Sequence, residues 1–150
     1  MILADRTLTL LQPVDPFDVR LVNPASIDLQ VAETFTIQPG EFRLAHTIET
    51  VTIRDDHIGF VCGKSSWARV GLLVEAAGLV DPGFCGQIVL ELYVLGAEPV
   101  RLEAGMRICQ LTIETLDQPA ERPYGLHGHY QHQTGNQPAW FGKNIGAMKL

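Results

Sequence analysis

The stretch GKSSWARVGLLVEAAGLVDPGFCGQIVLELY, residues 63–93, decides the fold of this chain. It opens with a turn rich in charge and hydroxyl groups, continues into a hairpin that contains glycine, and closes with a strand. Apolar residues alternate with others along that strand, so one of its faces is wholly apolar. The other face carries Gln87, Val89, Glu91 and Tyr93. A mixed face with one carboxylate is typical of a pocket wall.

The turn at the start of this stretch has the chemistry of an anion site. Lys64 and Arg69 supply positive charge, and the hydroxyl groups of Ser65 and Ser66 can donate hydrogen bonds to phosphate oxygens. Serines that open a short helix can also cap its free N–H groups. We therefore predict a helical turn over residues 65–71 that contacts phosphate.

The hairpin presents main chain with little side-chain cover. At Ala77 and Gly78 the backbone N–H and C=O groups are free to read the edge of a flat ring. Asp81 follows in an Asp-Pro-Gly sequence, which is also an ordinary turn. A phosphate site, a reader of planar rings and the sheltered carboxylate of Glu91 together predict an enzyme that acts on nucleotides.

Composition and charge exclude several classes of protein. With 150 residues, 19% of them charged, and a mean hydropathy of +0.10, the chain is expected to form one globular domain. Its net charge of −6 disfavours non-specific binding to nucleic acid. No apolar run approaches the ~20 residues that a membrane helix needs. The start of the chain does not resemble a signal peptide, and three widely spaced cysteines indicate a reduced, cytoplasmic protein.

Short alternating segments separated by turn residues predict an all-β barrel or sandwich. The clearest of them cover residues 26–37, 42–53, 57–62, 100–102 and 107–116, together with the strand that carries Glu91. Beyond Pro119 the periodicity ends. We expect a single domain over residues 1–150, in which residues 120–150 form a flexible C-terminal tail that closes over the site.

Several segments spread along the chain share the pattern of a known family. They are NPASIDL (23–29), GKSSWAR (63–69), AGLVDPGFCGQIVLEL (77–92), GMRICQL (105–111) and PYG…HYQHQTG (123–135). In this order they resemble the motifs of the dCTP deaminase and dUTPase superfamily. The resemblance implies a distorted jelly-roll β-barrel that assembles as a homotrimer with active sites between subunits. It also implies dCTP as substrate, with dUTP as a second candidate substrate and dTTP as a candidate effector.

The resemblance assigns the chemistry to a few residues. Glu91 matches the glutamate that, in dCTP deaminases, takes a proton from water attacking C4 of cytosine and passes it to N3. Arg69 would pair with Glu91, and Ser65 would help to orient the water. The substrate contacts implied by the resemblance are Lys64, Ser65, Ser66, Arg69, Ala77, Gly78, Asp81, Phe84, Gln110, Tyr124 and Gln133.

Within that set, each part of the nucleotide has its own contacts. Asp81 would accept a hydrogen bond from the 3′-hydroxyl, and Phe84 would pack beside the sugar. Tyr124 and Gln133 would close over the triphosphate. Gln110, like the residues of the cationic turn, would contact phosphate. Outside the set, Asp28 in NPASIDL is expected to have a structural role.

No zinc is expected in this site. The H-x-E and P-C-x-x-C signature of zinc-dependent nucleobase deaminases is missing from the sequence. His127, His129 and His132 have ligand-like spacing, but they lie in a glycine-rich tail that supplies neither cysteine nor carboxylate. We expect Mg²⁺ to arrive with the triphosphate.

Departures from the pattern leave the reaction open. Monofunctional dCTP deaminases tend to carry Ala-His-Arg before Ile-Asp in the hairpin, where this chain has Ala77, Gly78 and Leu79. An Ala-Gly sequence at this point is typical of dUTPases and of bifunctional enzymes. The leading hypothesis is deamination of dCTP to dUTP and ammonia. The alternatives are a bifunctional enzyme that continues to dUMP and diphosphate, a plain dUTPase, and a nucleotide-sensing homologue without catalysis.

Overall fold

Antiparallel β-strands form the framework of the protein. The computed structural model describes residues 1–74 and 78–141. Within these residues, the strands are β1 (Val14–Asp15), β2 (Val22–Asn23), β3 (Ser26–Gln30), β4 (Phe35–Ile37), β5 (Phe42–Thr52), β6 (His57–Gly63), β7 (Leu72–Val74), β8 (Leu79–Val80), β9 (Cys85–Val94), β10 (Val100–Leu102) and β11 (Arg107–Thr115). The helices are α1 (Asp5–Leu11) and α2 (Ser65–Arg69), with 3₁₀ turns at Val19–Leu21 and Tyr124–Leu126.

The strands form two main sheets and one short ribbon. The first sheet has the order β1-β5-β9-β7, the second has the order β2-β3-β11-β6-β8, and β10 pairs with β4. All of these pairs are antiparallel. The apolar core lies between the sheets, where Leu90 and Leu92 of β9, Leu29 of β3 and Leu111 of β11 are fully buried. The predicted all-β class is confirmed.

No helix within the described residues has the length and apolar character that crossing a membrane requires.

The longest strand pair, β5 with β9, is interrupted in its middle. The register shifts between His46 and Thr50 of β5, and buried side chains replace part of the lost backbone pairing. The Thr47 hydroxyl accepts a hydrogen bond from the Ile88 N–H at 3.0 Å. One carboxylate oxygen of Glu49 accepts a hydrogen bond from the Gln30 N–H of β3 at 2.9 Å. Because β3 belongs to the second sheet, Glu49 ties the two sheets together.

The C-terminal tail lies against the edge of β9 that β7 leaves uncovered. Gln87 is the centre of this contact: its N–H donates to the Gln133 carbonyl at 3.0 Å and its carbonyl accepts from Gln133 Nε2 at 2.7 Å. The Gln87 side-chain oxygen accepts a hydrogen bond from the Gly135 N–H at 2.7 Å. Upstream, the His132 N–H donates to the Cys85 carbonyl at 2.6 Å. Residues up to 141 therefore have a defined path, and closure of the tail over a ligand stays a prediction.

Candidate functional site

The predicted site residues fall into two separate clefts of the protomer. The first, about 680 Å³, lies between β5, β9 and the C-terminal tail, and we call it the tail cleft. Its lining includes Phe42, Leu44, Asp81, Phe84, Glu91, Tyr124, Tyr130 and Gln133. The second, about 570 Å³, lies beside α2 and is called the helix cleft. Its lining includes Gly63, Lys64, Ser65, Ser66, Leu73 and Gln110.

The floor of the tail cleft is the outer face of the β5–β9 pair. Burial alternates strictly along β9, and its half-buried residues include Gln87, Val89, Glu91 and Tyr93. This is the mixed face that the sequence predicted. Glu91 lies opposite Leu44 in the register, so its carboxylate is flanked by an aliphatic side chain of the neighbouring strand. The result is a single acidic group on a largely apolar floor.

The next wall is the turn after β8. The Phe84 N–H donates to the Asp81 carbonyl at 3.1 Å, and Gly83 has a φ of 81°, as a turn of this kind requires of its third residue. Asp81 is exposed at the cleft, whereas Phe84 is 6% exposed and meets the Tyr124 ring edge-on at 5.7 Å between centroids. Asp81 is therefore both an ordinary turn residue and a cleft residue.

The tail supplies the remaining wall. The Tyr124 hydroxyl accepts a hydrogen bond from the Tyr130 N–H at 3.1 Å, and the Tyr130 hydroxyl accepts one from the Trp140 N–H at 2.8 Å. Gln133 is held by its two bonds to Gln87. The predicted residues Tyr124 and Gln133 therefore line the same cleft as Glu91.

The helix cleft collects the phosphate-binding candidates. Lys64 directly precedes α2, and Ser65 and Ser66 form its first turn, with both serines exposed. The Trp67 indole N–H donates to the Arg107 carbonyl at 2.8 Å and so fixes α2 to β11. Gln110 of β11 lies in this cleft as predicted. Capping by the serines is wrong, because the N-cap residue is Lys64 and its side chain makes no capping hydrogen bond.

A buried carboxylate stands behind the Lys64 side chain. The Lys64 ammonium lies 2.5 Å from one carboxylate oxygen of Asp28, which is itself 1% exposed. Arg107 approaches the other oxygen of Asp28 at 3.4 Å, and the Asn23 amide donates to the first at 2.9 Å. The structural role expected for Asp28 is thus a contact with Lys64, a residue that is predicted to bind phosphate.

Arg69 occupies neither cleft as far as the described residues show. It is the last residue of α2, and its side chain is exposed. The ion pairs between the residues described include none that joins Arg69 to Glu91. Pairing of Arg69 with Glu91 therefore stays a prediction.

The glycine of the hairpin has a structural role, while its predicted contact with the base stays a prediction. The Gly78 carbonyl accepts a hydrogen bond from the Val61 N–H at 2.7 Å, and a β-carbon on Gly78 would collide with the Val61 carbonyl oxygen. Close approach to β6 therefore requires glycine here, whatever the ligand. Ala77, its predicted partner in reading the base, lies outside the described residues.

The tail histidines form no group that could hold a metal among the residues described, and the same is true of every set of three or more His, Cys, Asp or Glu there. His129 instead stacks on Trp140, with ring centroids 3.3 Å apart.

Some site residues were missed by reasoning from the sequence. Tyr130 lies within the quoted HYQHQTG motif but was given no role, although its position between Tyr124 and Gln133 was a usable signal. Gln87 was identified only as part of the mixed face of the Glu91 strand. Its hydrogen bonds to the tail, 46 residues away, left no local trace in the sequence.

Comparison with known proteins gives these clefts a family context. Residues 30–116 match the family model described as dCTP deaminase-like. A protein from Dictyoglomus thermophilum named dCTP deaminase, dUMP-forming, is 52% identical over 99 residues, which cover 65% of this chain and 51% of that protein. The chain thus spans about half the length of that curated relative.

Two solved structures share the fold. The 2′-deoxycytidine 5′-triphosphate deaminase from Agrobacterium tumefaciens superposes with a TM-score of 0.66 at 18% identity, over 76% of this chain and 47% of that chain. The native EIAV dUTPase superposes with a TM-score of 0.59 at 25% identity, over 74% of this chain and 89% of that chain. These similarities confirm the predicted dUTPase-like, distorted jelly-roll fold.

Proposed function

We propose that this chain, which belongs to the dCTP deaminase-like family, hydrolyses the 4-amino group of dCTP to give dUTP and ammonia. The observation that carries the proposal is the half-buried Glu91 on the floor of the tail cleft, which Asp81 and Phe84 also line. A cleft of about 680 Å³ with one carboxylate on an apolar floor suits a pyrimidine nucleoside.

Glu91 acts as the general base and then as the general acid. Its carboxylate takes a proton from the attacking water while the water oxygen bonds to C4, and it passes that proton to N3. Glu91 then takes the proton of the 4-hydroxyl group of the tetrahedral intermediate and delivers it to the amino group. The C4–N bond breaks, ammonia leaves, and the C4 carbonyl of the uracil ring forms. Leu44 on one side and the tail on the other limit access of bulk water, which strengthens each electrostatic interaction inside the cleft.

The sugar and the triphosphate need different surroundings. Asp81, exposed at the rim of the tail cleft, accepts a hydrogen bond from the sugar hydroxyl, and the ring of Phe84 packs beside the sugar. Lys64 and the hydroxyls of Ser65 and Ser66 bind phosphate oxygens in the helix cleft. Mg²⁺ enters as part of the substrate, bound to the triphosphate oxygens that a hard cation prefers.

A homotrimer would bring these two half-sites together. Within the described residues the two clefts have no lining residue in common. Between them lies a row of register partners, Phe42, Tyr93 and Leu73, in which Phe42 is 60% and Leu73 46% exposed. Exposed apolar residues in a row mark a contact surface. We propose that further copies of this chain cover it and that the helix cleft of one protomer completes the tail cleft of its neighbour.

The test of the proposed reaction is ammonia release from dCTP by the wild type and by Glu91→Gln. Glutamine keeps the shape of the side chain but cannot take up the proton, so deamination should fall by about 10²–10⁴-fold while dCTP still binds. Glu98→Gln makes the same change at an exposed loop position and should leave the rate unchanged. Near wild-type ammonia release by Glu91→Gln would refute the proposal. Elemental analysis of the same samples should show no stoichiometric zinc.

A second candidate function is continued hydrolysis of dUTP to dUMP and diphosphate. The D. thermophilum relative is named for a dUMP-forming reaction, and the exposed carboxylate of Asp81 at the cleft rim could position a second water near the α-phosphate. A time course with dCTP that follows dUTP and dUMP separately decides between them. If all of the dCTP is converted to dUTP, and added dUTP is not hydrolysed in the presence of Mg²⁺, the protein catalyses deamination without the second reaction.

A further inference from the structure

The Asp28 carboxylate is buried behind the helix cleft, and two cationic side chains and one amide surround it. Its side chain is 2% exposed, whereas that of Lys64 is 24% exposed and that of Arg107 50% exposed. Both cationic side chains therefore extend from the buried carboxylate to the protein surface. Lys64 reaches the surface in the helix cleft. The Asn23 amide, at 2.9 Å, holds the carboxylate from a third direction.

We propose that Asp28 is a positioning residue for the triphosphate, because it fixes the Lys64 ammonium at the wall of the helix cleft. The inference rests on the proposed function. A lysine side chain has four flexible carbons, and ordering it on a ligand costs conformational entropy. The contact of 2.5 Å with a buried carboxylate makes this ordering a property of the folded protein.

The hydrogen-bonding capacity of the ammonium allows it to serve both groups at once. An ammonium has three N–H donors, and Asp28 accepts one of them. Two remain for phosphate oxygens. Asp28 itself is held in place by β3, by Asn23 and by Arg107, so Lys64 is oriented by a group that does not move with the ligand.

Positioning and simple charge predict opposite results when Asp28 is replaced. Asp28→Asn removes a negative charge from beside an anion site, which by Coulomb attraction alone would tighten the binding of a triphosphate. If Asp28 orients Lys64, the same variant binds triphosphate more weakly, by roughly tenfold in Kd. The KM for dCTP should rise by a similar factor, while kcat changes little because Glu91 is untouched.

The experiment measures Kd for inorganic tripolyphosphate and for dCTP by calorimetry, together with KM and kcat. Lys64→Met should weaken binding as Asp28→Asn does, and Asp28→Asn in the Lys64→Met background should weaken it no further, since Asp28 acts through Lys64. Glu98→Gln, the charge-matched control, should bind like the wild type. Asn23→Ala loosens Asp28 without changing any charge, and it should raise Kd a few-fold, so it replaces Asp28→Asn should that variant fail to fold.

Unchanged or tighter binding by Asp28→Asn, or by Asn23→Ala in its place, would overturn the assignment. A further loss in the Lys64→Met background would overturn it as well. Both results would leave the proposed function standing. A wild-type chain that binds neither dCTP nor tripolyphosphate would overturn the proposed function and this inference together.

Discussion

The two clefts differ in the buried carboxylate that stands behind each of them. Behind the helix cleft, Asp28 forms ion pairs with Lys64 and Arg107. Behind the tail cleft, Glu49 lies on the inner face of β5 and is 0% exposed, and one of its oxygens accepts a hydrogen bond from the backbone N–H of Gln30. Its other oxygen has no hydrogen-bond partner among the residues that the structure describes.

The difference gives the two proposed subsites different electrostatic surroundings. Burial raises the pKa of Glu49 above its ordinary value, against the weaker opposing effect of the hydrogen bond from Gln30. Burial therefore disfavours the charged form of the carboxyl group behind the tail cleft, where an uncharged ring is proposed to bind. The wall behind the helix cleft holds a network of charges whose excess is positive, as suits phosphate.

The largest expected effect tests whether the two clefts belong to one site. Glu91→Gln removes the base in the tail cleft, and the double change Lys64→Met with Ser65→Ala disables the helix cleft. Each variant alone should be inactive at low dCTP. In mixed trimers of the two, one interface in three combines both intact clefts, so about a third of wild-type activity should return.

The mixed trimers are purified through two different affinity tags, and ammonia release is measured at a dCTP concentration well below KM. Analytical ultracentrifugation of the same samples reports the number of protomers. If the mixed trimers are no more active than the sum of the two parent variants, each protomer forms its own site. The two clefts of neighbouring protomers would then not belong to one shared site.

A smaller effect is expected from Glu49→Gln, measured as the free energy of unfolding in urea across pH. In the unfolded chain the Glu49 carboxyl ionises near 4.5, whereas in the folded protein its pKa is higher. The contribution of Glu49 to stability therefore declines as pH rises through this interval, and a glutamine at this position makes no such pH-dependent contribution. The variant should match the wild type near pH 4 and exceed it by about 1–2 kcal/mol near pH 8. A difference that does not change with pH would show that Glu49 holds no extra proton.

The smallest effect is expected at Asp56, a carboxylate that lines neither cleft. A hydrogen bond from Arg54, followed by one from His57, lowers the pKa of Asp56 from 3.8 to about 2. Its contribution to stability is present above pH 3.8 and is lost as pH falls through about 2. Asp56→Asn should lower the thermal unfolding midpoint slightly at pH 7, with the gap closing near pH 2, and should leave the Kd for dCTP unchanged. A change in Kd would mean that surface charge, and not the cleft walls, governs binding.

Local periodicity in the sequence determined the strands and the position of Glu91, the proposed base. Side chains alternate between the faces of a strand, so the pattern of β9 was enough to place Glu91 and Gln87 on one face and Leu90 on the other. The turn before β9 was predicted from the Asp-Pro-Gly sequence that begins at Asp81. The resemblance to a family added the roles of these residues, which alternation alone does not provide.

The choice of face on β5 was beyond the reach of the sequence. Its alternation defines two faces, and the one with Phe42 and Leu44 is the more apolar. The structure turns that face to the tail cleft and buries Thr47 and Glu49 instead, because the Ile88 and Gln30 N–H groups on neighbouring strands are there to be bonded. Tertiary partners outweighed side-chain hydrophobicity.

The division of the site was likewise decided only by the tertiary structure. Lys64 meets Asp28 across 36 residues of chain, and Gln133 meets Gln87 across 46. A sequence pattern reports the geometry of a few neighbouring residues, since the backbone repeats every two or 3.6 positions. Which distant segments meet depends on how all the strands pair at once. The candidate residues could therefore be identified one by one from the sequence, whereas their separation into two clefts could not.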